Sequence, residues 1–251
     1  MAGHSKWATT KHRKAAQDKK RSALFSKLSR MITVAAKAGM DANPDSNASL
    51  AAAIAKAKSY SLPKDRIESA IGKAFGPGES AAYEEVVYEG YGPAGVAIYV
   101  EALTDNRNRT AADVRSAFSR AGGNLGATGS VAFQFQRKGQ VVLESTTAQG
   151  EDDLVLVVAD AGGEDLEATG EEWVVTTAPV EMMRVKAALE AVGLPVKGAE
   201  LVMDPVSETV VSAAEASRVL RLIDQLEAFD DVQNVYHNMA FTDEIAASLS
   251  E

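Results

Sequence analysis

Cysteine is absent from all 251 residues. That removes disulfides, a thiol nucleophile and cysteine-ligated zinc, and it suits a reducing compartment. Long apolar runs are missing too: none approaches the ~20 residues of a membrane span. The first seven residues, Met1 to Trp7, lack the apolar core of a secretory signal. An Arg/Ser-rich transit peptide fits poorly with Asp18 and the dense lysines, so the cytoplasm is the expected location. Histidine is scarce, with only His4, His12 and His237. No two are spaced as zinc ligands on a helix, so no metal site is expected. No serine sits in a nucleophile elbow, and the carboxylates show no pairing that anchors a cleft. A non-enzyme is expected, with no cofactor and no small-molecule substrate.

One further scarcity is local. Between Gly3 and Arg30 there is a single acid, Asp18, against Lys6, Lys11, Arg13, Lys14, Lys19, Lys20, Arg21, Lys27 and Arg30. The whole chain carries a net charge of −9. Residues 1–75 hold fifteen Lys+Arg and five Asp+Glu, net +10, whereas 76–251 hold eleven and thirty, net −19. A basic module is therefore attached to an acidic body, and the basic end is built to meet phosphate.

Before Leu24 this basic stretch has almost nothing to bury. Ala, Lys, Arg and Gln are good helix formers, which predicts a helix from about Thr10. An isolated helix of that kind is marginal in water, so the first dozen residues are expected to be ordered only by a partner. On such a helix Arg13, Lys20 and Lys27 share a face, and Lys11, Lys14 and Arg21 follow a neighbouring line. The ladder suits a run of phosphates, each contact releasing a condensed counterion. Lys6 and Lys19 add charge, and Trp7, His4 and His12 can stack on exposed bases or ribose edges.

From Leu24 an amphipathic pattern takes over. Leu24, Leu28, Ile32 and Ala35 recur at helical spacing, and Gly39 ends the helix. An alanine-rich helix is predicted over about Ser49–Ser59, and a third begins near Pro63, with Asp65 and Glu68 early in it. Residues 1–75 thus read as a helical domain with a basic arm. Gly76-Pro77-Gly78 marks a boundary. Strands are predicted at Val86–Tyr88 and Val96–Ala102, and a helix over Thr110–Arg120, capped by Thr110. Further strands are expected at Val131–Phe135 and, after Gly139, at Val141–Leu143. Then follow a helix near Gly150–Ala161, a strand at Trp173–Thr177, a helix over Pro179–Val192 and a strand at Leu201–Met203. Ser212 with Glu215 forms a capping box opening a helix, before a strand at Val232–Tyr236 and a polar tail from Thr242. These short alternating elements fit an α+β chain with two βαβ-type units of antiparallel pairing, one inserted in the other.

Two loops invite a functional reading. Gly90-Tyr91-Gly92-Pro93-Ala94-Gly95 lacks the lysine and hydroxyl of a phosphate loop and lies between strands, so it reads as a hairpin connection. Asp105-Asn106-Arg107-Asn108-Arg109-Thr110 either grips phosphate or a ribosomal loop, or caps the helix and pairs locally. Asn124 to Ser130 reads as backbone turns.

The ordered motifs resemble the YebC/PmpR family. They are Gly3-His4-Ser5-Lys6-Trp7, Lys11-His12-Arg13-Lys14, Asp18-Lys19-Lys20-Arg21 and Phe25-Ser26-Lys27-Leu28, then Pro63 to Glu68, Tyr88 to Pro93, Glu101 to Thr110, Gly123 to Gly126 and Gly129 to Val131. The resemblance implies a cytoplasmic protein of three domains: a helical basic domain over 1–75, an α/β domain over 80–135 plus 204–240, and an inserted α/β domain over 136–203, the latter two of ferredoxin-like type. It implies a DNA-binding transcriptional regulator or, as the alternative, a ribosome-associated translation factor that contacts rRNA or tRNA and relieves stalling at proline runs. The family's second helix often opens with arginine. Here Ala48 to Ala53 is uncharged, so no nucleic-acid role transfers to that helix. The arm carries many phosphate-type charges and few base readers, which favours RNA or weakly selective binding.

Overall fold

The computed structural model describes residues 17–76, 83–144, 150–169 and 172–248. They fall into two compact units. One comprises the described parts of 15–133 and 209–251, the other those of 134–208.

The first unit begins with three helices: α1 (Gln17–Ala38), α2 (Ala48–Ser59) and α3 (Lys64–Phe75). Leu28, Ile32 and Ala36 of α1 pack against Leu50, Ala53 and Ala57 of α2 and Ile67 and Ala70 of α3. The apolar spacing read from the sequence therefore becomes the face that holds α1 in place. Two polar ties fix the angles. Asn47 caps α2 by accepting from Leu50 N, while its amide donates to the carbonyls of Ala35 and Asp41. The Thr33 hydroxyl donates to the Ala70 carbonyl at 2.8 Å.

The chain continues through β1 (Glu84–Tyr91), β2 (Ala97–Thr104), α4 (Arg107–Ala121) and the short β3 (Asn124–Leu125). The second unit then supplies β4 (Phe135–Glu144), α5 (Glu151–Ala161), β5 (Asp165–Ala168), β6 (Glu172–Thr177), α6 (Met182–Ala191) and β7 (Val196–Pro205). The first unit resumes with α7 (Ala213–Glu227), β8 (Val232–His237) and α8 (Asp243–Ser248).

Each unit holds one four-stranded antiparallel sheet, so the fold is α+β. The first has the order β3-β1-β2-β8, with the β1–β2 hairpin at its centre. The second, β5-β6-β4-β7, is built from one continuous β-α-β-β-α-β segment, the ferredoxin-like arrangement. Val141, Leu143 and Val175 from its strands meet Leu154 and Val158 of α5 and Val185 and Leu189 of α6. The Gly90–Gly95 stretch is the hairpin connection, closed by Gly92 N donating to the Val96 carbonyl at 2.8 Å.

Several local expectations are corrected. Asn106, not Thr110, caps α4, its side chain accepting from Arg109 N. The Val131–Phe135 stretch contains a 3-10 turn at Ala132–Gln134 rather than a strand. Gly139 does not interrupt: β4 runs through it, paired with Thr177 on one side and Leu201 on the other, and the position is glycine because a Cβ there would collide with Thr177 Oγ1 and Met182 Cβ. β7 is far longer than Leu201–Met203. It is an edge strand, where Lys197, Gly198 and Glu200 break the apolar alternation at little cost. β5 was not expected. The tail after Thr242 forms the short α8, whose Ile245 is buried.

Candidate nucleic-acid interface

His4, Lys6, Trp7, Lys11, His12, Arg13 and Lys14 lie outside the described residues. Lys19, Lys20 and Arg21 lie in the first turns of α1, with their side chains outside the description. The expectation that a partner orders the first dozen residues also falls outside it. The described base of the arm is the part of α1 from Ser22 onward.

That base is held by more than its apolar face. Lys27 Nζ donates to the carbonyl of Glu227 at 2.6 Å. Glu227 is the last residue of α7, where the carbonyls carry the negative end of the helix dipole. Arg30 Nη1 donates to the Asp230 carbonyl at 2.8 Å and to Asp231 Oδ1 at 3.0 Å. The Arg30 guanidinium also lies 5.1 Å from the centre of the Tyr83 ring. Lys27 and Arg30 thus fasten the helical segment to the loop between α7 and β8.

Asp231 is the centre of this network and is only 7% exposed. Its Oδ2 accepts from Arg109 Nη2 at 2.7 Å and from the Thr110 hydroxyl at 2.7 Å, with the Thr104 hydroxyl at 3.2 Å. Its carbonyl accepts from Leu103 N at 2.7 Å. One carboxylate therefore joins α1, the end of β2 and the first turn of α4. Burial pushes the Asp231 carboxyl up. Hydrogen bonds from Arg109 and Thr110, with the charges of Arg109 and Arg30, outweigh burial and hold it below the usual carboxylate range. The hydrogen bonds that Arg109 donates to Asp231 and then to Asp105 raise it in turn.

This geometry sorts the Asp105–Thr110 stretch residue by residue. Asn106 is a cap, and its N–H donates to Thr104 Oγ1 at 2.9 Å. Arg109 is tied to Asp231 and to Asp105 at 2.8 Å. Thr110 is buried in the network. Arg107 and Asn108 remain exposed, with the Arg107 carbonyl accepting from the Tyr88 hydroxyl. The cleft beside them is lined by Arg30 and Arg109 against Asp105, Asp113, Asp230 and Asp231. With four carboxylates to two guanidiniums, it repels phosphate.

A second buried carboxylate was also missed in the sequence. Glu89, 4% exposed, accepts from the backbone N–H groups of Gly129, Val131 and Ala132 at 2.7, 2.8 and 2.7 Å. The turns after Asn124 are therefore wound around one carboxylate from β1. The signal was a glutamate inside an otherwise apolar strand, Val86 to Gly90. His237 is fully buried, its Nδ1 accepting from Met239 N. Among the described residues no His, Cys, Asp and Glu group is placed to hold a metal ion. No described helix is long and apolar enough to cross a membrane.

Two sequence-family profiles match the chain. Residues 5–77 match the TACO1/YebC protein N-terminal domain, and residues 83–239 match the TACO1/YebC second and third domain. The chain belongs to the TACO1/YebC family. A protein from Rubrobacter xylanophilus is 49% identical over 251 residues, covering all of both chains, and one from Bifidobacterium longum is 48% identical over all of both. A third, from Geobacillus thermodenitrificans, is 50% identical over 95% of this chain and 97% of its own. All three bear the name "Probable transcriptional regulatory protein". The crystal structure of a conserved hypothetical protein from Aquifex aeolicus superposes with a TM-score of 0.83 at 41% identity, covering 92% of this chain and 96% of that one.

Proposed function

We propose that this TACO1/YebC protein is a nucleic-acid-binding regulator of gene expression, acting in the cytoplasm without catalysis or cofactor. The carrying observation is the density of charge in the arm: nine cations and one acid between Gly3 and Arg30, in a chain of net charge −9. The phosphate-facing set runs from His4 to Arg21. Lys27, with its ammonium on the Glu227 carbonyl, serves to dock α1. In this reading Lys27 and Arg30 give the arm a fixed root on a body whose net charge is acidic.

The relatives' names support transcription as the process, and duplex DNA is the target that this process would require. The second reading, a translation factor on the ribosome, is favoured by the make-up of the arm. It offers point charges and the stacking groups Trp7, His4 and His12, but few side chains that read base edges.

If the arm contacts about six phosphates, the log–log dependence of affinity on salt has a slope of about −4 to −5. Replacing Lys11, Arg13, Lys14, Lys20 and Arg21 with alanine flattens that slope and weakens binding together. An unchanged slope sinks the arm assignment. Crosslinking in cells, followed by sequencing of the bound nucleic acid, separates the two processes. Discrete promoter DNA supports transcription, and enrichment of rRNA and tRNA supports translation.

A further inference from the structure

The α+β part of the first unit, residues 83–133 and 209–248, contains six arginines and no lysine. All six lie on two helices: Arg107, Arg109, Arg115 and Arg120 on α4, Arg218 and Arg221 on α7. These helices pack side by side and run antiparallel. The first turn of α4 meets Asp231, just beyond the end of α7, while the last residue of α4, Ala121, offers its carbonyl to Arg218 on the earlier half of α7.

Arg109 is ion-paired. The other five are exposed, and among the described residues none of them forms an ion pair. Arg218 and Arg221 reach only backbone carbonyls, those of Ala121 and Ser217. The same residues include thirteen Asp and Glu. Carboxylates are therefore plentiful, yet none is within ion-pair distance of these five guanidiniums among the described residues, although the charge of Arg218 is felt by Glu215 on the same helix. Planar guanidinium forks match phosphate oxygens in a way that ammonium groups do not. The only aromatic residue on either helix, Phe118, is fully buried. The face therefore lacks the stacking platform that single-stranded nucleic acid requires.

We propose that the outer face of α4 and α7 is a second phosphate-binding surface, which receives the backbone of duplex DNA. The inference rests on the nucleic-acid reading above and adds a second footprint to the arm. Backbone contacts of this kind position a duplex without reading its sequence.

The test uses the full chain, a labelled DNA duplex of about 20 base pairs and salt from about 50 to 200 mM, read by fluorescence anisotropy. The R115A/R218A/R221A triple variant is expected to lower the magnitude of the salt slope by about 3, one unit per lost phosphate contact. The R115K/R218K/R221K variant is expected to keep most of the slope, because the charges remain. Circular dichroism melts should match for all three proteins.

If the alanine variant keeps the wild-type slope while the arm variant loses it, the face proposal is overturned and the arm reading stands. If the wild-type chain does not bind the DNA duplex at all, the face proposal falls, and the arm reading falls with it if the RNA duplex is not bound either. If the face-dependent slope appears only with an RNA duplex of the same sequence, the assignment to DNA is overturned.

Discussion

The two sheet-bearing regions treat charge in opposite ways. In residues 134–208, four of the five cations are paired with carboxylates: Lys138 with Glu164, Arg184 with Glu181, Lys186 with Glu190 and Lys197 with Glu172. In residues 83–133 with 209–248, only Arg109 is paired internally, while five arginines are exposed without an ion pair among the described residues. That region instead uses carboxylates inside: Asp231 gathers Arg30, Arg109 and Thr110, and Glu89 gathers three backbone donors. One region neutralises itself at the surface, where pairs contribute little. The other spends its ionic contacts on joining elements and leaves cations facing outward. The difference places structural work in the buried carboxylates and, under the proposal above, leaves the exposed guanidiniums available for phosphate.

The largest expected effect comes from breaking the Asp231 centre. Asp231→Ala leaves Arg30 with carbonyls and the Tyr83 ring but no carboxylate, and removes the acceptor shared by Arg109 and Thr110. Loss of one partner of a buried pair costs about 3 kcal/mol here, the lower end of its range because Arg109 is half exposed. Urea denaturation measures it. The pH dependence has a definite sign. Asp231 is depressed in the folded state, so its contribution is complete above the unfolded carboxylate value near 4 and is lost as pH falls through the lower folded value. Asp231→Asn should therefore be less stable at neutral pH and lose less stability than wild type on acidification below about pH 4. Parallel acid limbs would break the assignment.

Glu89→Ala comes next, at about 2 kcal/mol. It strands the N–H groups of Gly129, Val131 and Ala132, but Gly129 is exposed and Ala132 only partly buried, so water replaces some of what is lost. Hydrogen exchange should accelerate at these three amides and leave α1 protected. Uniform acceleration across the unit would show that Glu89 holds more than its loop.

How much of this the sequence disclosed follows from the range of each interaction. The core face of α1 was legible because Leu24, Leu28 and Ile32 repeat within one element. The Ser212–Glu215 capping box was legible because its donors and acceptors are three residues apart, and it is present. Arg30 was read as one more cation of the arm, since its partner Asp231 lies 201 positions away. Sequence alone leaves the Asp105–Thr110 stretch open between phosphate grip and local capping. Asn106 turns out to cap α4 and Arg109 to be tied to Asp231 and Asp105, while Arg107 and Asn108 have exposed side chains. Thr110 looked like a cap because the strand end was placed too early. Once β2 runs to Thr104, its hydroxyl receives the Asn106 N–H and moves the cap back. The arginine face of α4 and α7 was invisible, because its two halves are about a hundred residues apart in the chain and meet only in the fold.

The smallest expected effect is the sharpest test of the contrast. Glu164→Ala removes the partner of Lys138, a pair at 2.6 Å with the glutamate 42% exposed. Its cost should be below about 1 kcal/mol and should shrink further in high salt, since exposed pairs are screened. It also leaves the Lys138 ammonium without its ion-pair partner, with the charge of Asp204 still acting on it, in the region that pairs four of its five cations. If exposed charge alone governed duplex binding, Glu164→Ala should strengthen binding about as much as Arg221→Ala weakens it. If the arrangement on α4 and α7 matters, freeing Lys138 changes neither affinity nor salt slope, while Arg221→Ala lowers the slope by about one unit and leaves the melting temperature where it was. Anisotropy and thermal melts on these two single variants therefore separate net charge from placed charge.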